Sequence, residues 1–258
     1  MTQRPVPHQT ANPRPKNPRR VQLCQLPPLV VLGNVIAQTV TLEAARTAQI
    51  AGADRIELNS ALELDGLTPS AGLLELVMNS IQIPIIAMAR PRAGNFNYSD
   101  FEWQTLVHDA KWLLNQGVAG IAFGCLDENN DIALDRCKEM RSLTTGKKLV
   151  FHKAFDDVRD PRKSLEQLVE VGIDRVMTSG HQPTALDGLP NITSAHRQAE
   201  QRIEILPAGG INAQNAKKIA QTSGCRQVHG SFSSGKCGNL RLEIEQTISE
   251  LTNLSFHH

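Results

Sequence analysis

One short grammar recurs along this chain, a glycine followed four residues later by the isoleucine or valine of a strand. The segments are Gly52-Ala-Asp-Arg-Ile, Gly117-Val-Ala-Gly-Ile, Gly172-Ile-Asp-Arg-Val and Gly224-Cys-Arg-Gln-Val, separated by 65, 55 and 52 residues. Glycine suits the left-handed position that ends a helix, and the β-branched residue then opens a strand. Each interval is about twice one strand-plus-helix unit of roughly 30 residues. Four echoes therefore predict four pairs of βα units, which is eight strands. Eight parallel strands alternating with helices close into a (β/α)8 TIM-type barrel of about 250 residues. The 258 residues suffice for one such barrel, and no second domain is found.

Residues 1–28 form a separate compositional block, rich in Pro and Arg and without an acid. Its proline density forbids a stable helix and its apolar content is too low to offset ordering entropy, so it reads as a disordered extension. The barrel is assigned to 29–258. Strands are expected at 29–38, 55–59, 83–90, 120–126, 148–155, 175–180, 203–207 and 227–232, with a closing amphipathic helix at about 239–254. Expected helix caps are Thr41, Thr68 followed by Pro69, Ser99 and Asn212.

A net charge of +1 gives no electrostatic reason for a nucleic-acid or membrane partner. Aromatic residues make up 4% of the chain, too few for a base-stacking platform. No apolar run approaches the roughly 20 residues of a membrane span. The cysteines at 24, 125, 137, 225 and 237 are scattered and never spaced CxxC, as expected for reduced thiols in the cytoplasm.

In a barrel of this kind the working face lies where strands end and βα loops begin. Polar residues collect there. On the second strand, Arg55, Glu57 and Asn59 share one face, and in a buried sheet that row needs mutual pairing or a ligand. Arg90 and Arg92 flank a proline and suit an anionic oxygen, or else neutralise Glu57 and Asp156. His152 is a candidate base or metal ligand, or a structural imidazole, and Glu57 with Asp156 is a candidate acid/base pair or an ion-paired wall. Ser179 lies at the end of the sixth strand. Gly209-Gly210 and His229-Gly-Ser231 offer backbone amides after strands seven and eight, the customary anion position. Cys125 is the candidate soft metal ligand, against a buried inert thiol; Met88 and Met177 read as core.

These residues sit in motifs that resemble the CutC family over about 40–231. The motifs are Gly52-Ala-Asp-Arg-Ile-Glu-Leu, Gly66-Leu-Thr-Pro-Ser70, Arg90-Pro-Arg with Tyr98-Ser-Asp, Phe151-His with Ala154-Phe-Asp, Thr178-Ser-Gly, Ala208-Gly-Gly and His229-Gly-Ser. The resemblance implies a cytoplasmic, homo-oligomeric TIM barrel in copper homeostasis, proposed to bind Cu(I). Against the family's usual pattern, Ile36, Gln38 and Val40 stand where Glu, Cys and Asp are expected. Asn59 replaces a Cys, and Lys153 an Arg. Amides are hard, poor ligands for Cu(I). Three functions stay open, the first two being a copper-binding homeostasis protein and a barrel enzyme acting on a small anionic substrate bearing phosphate or carboxylate. A non-catalytic binding module is the third.

Overall fold

The computed structural model describes residues 34–232 and 239–252. The expected extension at 1–28, and 29–33 of the expected first strand, lie outside the described residues. Eight strands alternate with eight helices in the order that the glycine echoes predict. The strands are β1 (Asn34–Thr39), β2 (Arg55–Leu58), β3 (Ile85–Met88), β4 (Gly120–Phe123), β5 (Lys148–Phe151), β6 (Arg175–Thr178), β7 (Glu204–Pro207) and β8 (Gln227–Gly230). The helices are α1 (Leu42–Ile50), α2 (Ala71–Ser80), α3 (Asp100–Asn115), α4 (Leu134–Leu143), α5 (Pro161–Val171), α6 (Leu189–Ala199), α7 (Ala216–Ser223) and α8 (Leu240–Thr252).

All seven strand pairings are parallel, in the order β7-β6-β5-β4-β3-β2-β1-β8. One further parallel bridge, Ala208 to His229, joins β7 to β8 and completes the ring. Six of the expected strands run one to four residues past the observed C-terminal ends, whereas β7 ends where expected and β1 one residue later. There the chains leave the ladder and splay into the loops of the mouth.

The four echo glycines all take left-handed backbone, with φ of 92°, 94°, 81° and 80°. Their motif carries a second device in two of its copies. Asp54 accepts from the Val35 amide of β1 at 2.8 Å, and Asp174 accepts from the Leu149 amide of β5 at 2.9 Å. Each acid thus ties the start of its own strand to the start of the strand before it.

Both faces of the sheet are buried, as parallel sheets require. Ile56, Leu58, Ile121, Phe123, Phe151, Val176 and Val228 face the helices in the larger core. Ile36, Ile86, Met88, Ala122, Val150, Met177, Leu206 and Ala208 fill the barrel interior. No helix among the described residues is long and apolar enough to cross a membrane.

Helix starts follow side-chain chemistry, with two shifts from expectation. Thr41 caps α1 through the Ala44 amide, and Ser99 with Glu102 forms a reciprocal capping box on α3. Thr68 does not cap α2: its hydroxyl bonds the Arg90 carbonyl and the Asp109 carboxylate, so Ser70 takes the cap instead. Asn212 likewise does not cap α7. Its Oδ1 accepts from the Gln214 and Asn215 amides in a turn that precedes the helix, which begins after Asn215.

Candidate functional site

The C-terminal ends of the strands enclose a cavity of about 560 Å³, whose lining includes Glu57, Arg90, His152, Asp156, Gly209, Gly210, His229 and Ser231. That volume lies in the usual range for a small-molecule site, about 300–1,000 Å³. Gln38 and Ser231, 193 positions apart in sequence, both line it, because the strands all end on one rim.

Glu57 is buried on the inward face of β2. Its Oε1 accepts from Asn59 Nδ2 at 3.2 Å and stands 3.3 Å from His229 Nε2, an approach whose angle falls short of a hydrogen bond. Burial alone would raise this carboxyl. The adjacent His229 and the Asn59 amide outweigh it and hold Glu57 below the ordinary carboxylate range.

His152 takes the opposite electrical state. Its Nδ1 accepts from the Ala154 amide at 3.1 Å, which places the neutral ring's proton on Nε2. Burial, and after it the Arg90 charge, push the imidazole down to about 3 against the opposing pull of Glu57. His152 Nε2 is buried and without a hydrogen-bond partner. The ring packs against Phe96 at 4.9 Å between centroids. On its other side lies Gly124, where a β-carbon would stand 2.5 Å from His152 Cε1. The close approach of ring and backbone therefore requires glycine.

Arg90 lines the cavity with its donors already committed. Its Nη1 donates to the carbonyls of Leu64 (2.9 Å) and Gly66 (3.1 Å), and its Nη2 to Gly94 (3.1 Å), while the guanidinium stacks 5.0 Å from the Phe96 centroid. Arg90 thus clamps the loops after β2 and β3, and Nε alone is left unpartnered. Neither expected carboxylate, Glu57 or Asp156, is its ion-pair partner.

Asp156 is equally engaged. It accepts from the hydroxyl of Thr178, the amide and hydroxyl of Ser179 (2.9 and 2.8 Å) and the His181 amide (3.1 Å), fixing the turn after β6. Its neighbour Asp157 also lines the cavity; burial, then the charge of Asp156, push that carboxyl upward.

Gly209 and Gly210 form a left-handed turn, with φ of 102° and 66°. A β-carbon at Gly209 would lie 3.7 Å from Lys153 Nζ. The lysine ammonium and this turn share one side of the mouth. Asp65, Asp156 and Asp157 make the rest of the rim acidic.

Five expected site residues do not line this cavity. Arg55 enters at the start of β2 and donates to Gln227 at 3.2 Å, at the opposite end of the barrel from the mouth. Asn59 supports Glu57 from behind. Arg92 is ion-paired to Glu102 and donates to the carbonyls of Asn95 (2.8 Å) and Asn97 (2.9 Å). Ser179 acts through Asp156. Cys125 is fully buried in the layer between strands and helices, with its Sγ 3.7 Å from that of Cys137 on α4. Among the described residues, no three His, Cys, Asp or Glu side chains are placed to hold one metal ion. Lys153 and Phe96 contribute to the lining without having been singled out as ligands; Phe96 carried no signal beyond its place in a polar loop.

A model of the CutC family matches residues 35–234. A CutC family protein of Treponema denticola is 44% identical over 189 residues, covering 73% of this chain and 77% of that protein. The human copper homeostasis protein cutC homolog is 40% identical over 201 residues, covering 78% and 74%. The crystal structure of CutC from Streptococcus agalactiae superposes with a TM-score of 0.73 at 30% identity, covering 77% of this chain and 98% of that one. A thiamine phosphate pyrophosphorylase from Pyrococcus furiosus, at 15% identity and a TM-score of 0.57, shares the fold alone.

Proposed function

This chain belongs to the CutC family, and from that premise we propose that the barrel mouth is a proton-transfer site for a small anionic molecule, in a protein of copper homeostasis. One observation carries the reading: His152 presents a buried, unpartnered Nε2 in a cavity that also holds the Glu57–His229 pair. An unsatisfied buried donor costs roughly 1–3 kcal/mol, so a ligand oxygen accepting from it gains that much.

The roles follow from the geometry. His152, neutral at physiological pH, donates from Nε2 to a carbonyl or hydroxyl oxygen and stabilises negative charge developing there. Glu57 takes or returns the proton, with the His229 ring beside it at 3.3 Å. The ligand's carboxylate or phosphate lies at the Lys153 ammonium and the Gly209-Gly210 turn, because the rest of the rim is acidic. Arg90 sets the loops and lends its field rather than a contact.

The test is a titration of the full chain with phosphoglycolate and with inorganic phosphate, followed by amide chemical shifts. Saturable shifts at Gly209, Gly210 and Lys153 are expected, weakened about tenfold by Lys153→Ala, the loss of one ion contact worth about 1.4 kcal/mol. An absence of saturable shifts with either probe overturns the reading.

The relatives' names favour a second reading, Cu(I) binding. The cavity's own soft atoms are the thioethers of Met88 and Met177. The described thiols lie elsewhere, and two of them are paired: Cys125 with Cys137. Thiolates suit Cu(I), so Cys125 and Cys137 would hold the ion by donor chemistry. Free thiols also accord with a cytoplasmic location.

A further inference from the structure

We propose that Cys125 and Cys137 together hold one Cu(I) ion as a buried dithiolate, behind the barrel wall rather than in its mouth. The proposal rests on the copper reading above and assigns it a place. Cys125 follows the end of β4 on the face turned toward the helices, and Cys137 faces it from the first turns of α4. Both side chains are fully buried and their sulfurs are 3.7 Å apart.

That separation distinguishes what the pair can do. A zinc–thiolate bond is about 2.3 Å, and at a similar length two thiolates on opposite sides of one ion stand about 4.6 Å apart. A disulfide needs about 2.05 Å. From 3.7 Å the sulfurs would have to separate by about 0.9 Å to take a linear ion but approach by about 1.6 Å to bond. The ion is the smaller distortion. Zinc is disfavoured because its structural sites need four donors, and no third His, Cys, Asp or Glu joins the pair among the described residues. Cu(I) is satisfied by few soft donors.

Charge also balances. Binding releases one proton from each thiol and leaves two thiolates around one monovalent cation, a net charge of −1. Arg136, one residue before Cys137, is the positive group that acts on Cys125 and favours its ionised form. Its guanidinium is held in place by the Tyr98 carbonyl at 2.7 Å and by Asp100.

The experiment titrates reduced, oxygen-free full-length protein with Cu(I) against bathocuproine disulfonate. Expected is one ion per chain, kept by the triple variant Cys24→Ser, Cys225→Ser, Cys237→Ser, and weakened at least 100-fold by Cys125→Ser or Cys137→Ser. Copper K-edge absorption of the wild type should show two sulfur neighbours and no nitrogen, a readout that does not depend on whether the serine variants fold. Retained binding in both serine variants, or its loss on Met88→Leu or Met177→Leu, overturns this site and leaves the copper reading standing. A wild type that takes up no Cu(I) overturns both.

Discussion

His229 Nε2 and Glu57 Oε1 stand 3.3 Å apart at the centre of the mouth, one side chain from β8 and the other from β2, with β1 between them. The pair crosses a strand that carries neither of them, so the two residues are held at that distance by the ladder and not by sequence proximity.

Replacing Glu57 with Gln removes the charge and keeps the shape. The folded protein should lose about 1–3 kcal/mol at pH 7, read by urea unfolding, since His229 and Asn59 lose a charged partner. The sign with pH follows from the depressed carboxyl. Its stabilisation is complete above the unfolded value of about 4.3 and is lost as pH falls through the lower folded value. The difference between wild type and variant should therefore shrink in acid; a constant difference down to pH 2 would sink the assignment.

His152 should not titrate between pH 5 and 8. Nitrogen-15 spectra are expected to show one neutral tautomer with the proton on Nε2. Its folded value of about 3 lies below the unfolded one, so stability should decline as pH drops through about 6.5, by up to 1.4 kcal/mol per pH unit. His152→Gln should flatten that slope.

Gly124→Ala tests the support behind the imidazole. The added methyl meets the ring at 2.5 Å, an overpacking that costs about 1–3 kcal/mol. A lowered melting temperature together with a shifted His152 resonance is expected; an unshifted resonance would show that the ring is not held by this contact.

Arg90→Lys keeps the charge and loses the fork. One ammonium cannot reach the carbonyls of Leu64, Gly66 and Gly94 as the guanidinium does. Faster amide hydrogen exchange is expected in 61–67 and 93–97, with the strands unaffected. Unchanged protection in both loops would remove Arg90 from that role.

The barrel was legible because its signal is repetitive and local: the echo glycines mark helix ends by their backbone needs alone. The convergence of Glu57, His152 and His229 followed from the same register, since alternation places them inward once the strands are known. What Arg90 touches was not legible. Its partners are backbone carbonyls of two loops, and carbonyls carry no letter in a sequence. Thr68 was misplaced for a related reason, because its hydroxyl is taken by Arg90 and Asp109, both far along the chain. The contact of Cys125 with Cys137 depends on how α4 rotates against β4, which a spacing of twelve residues does not specify.

The β7–β8 seam rests on one bridge, and the residue that makes it, His229, also faces Glu57. The cylinder's fastening and the floor of its mouth are therefore the same joint. A molecule lodged against that imidazole would act as a rivet, and the degree to which the wall breathes would report whether the mouth is full.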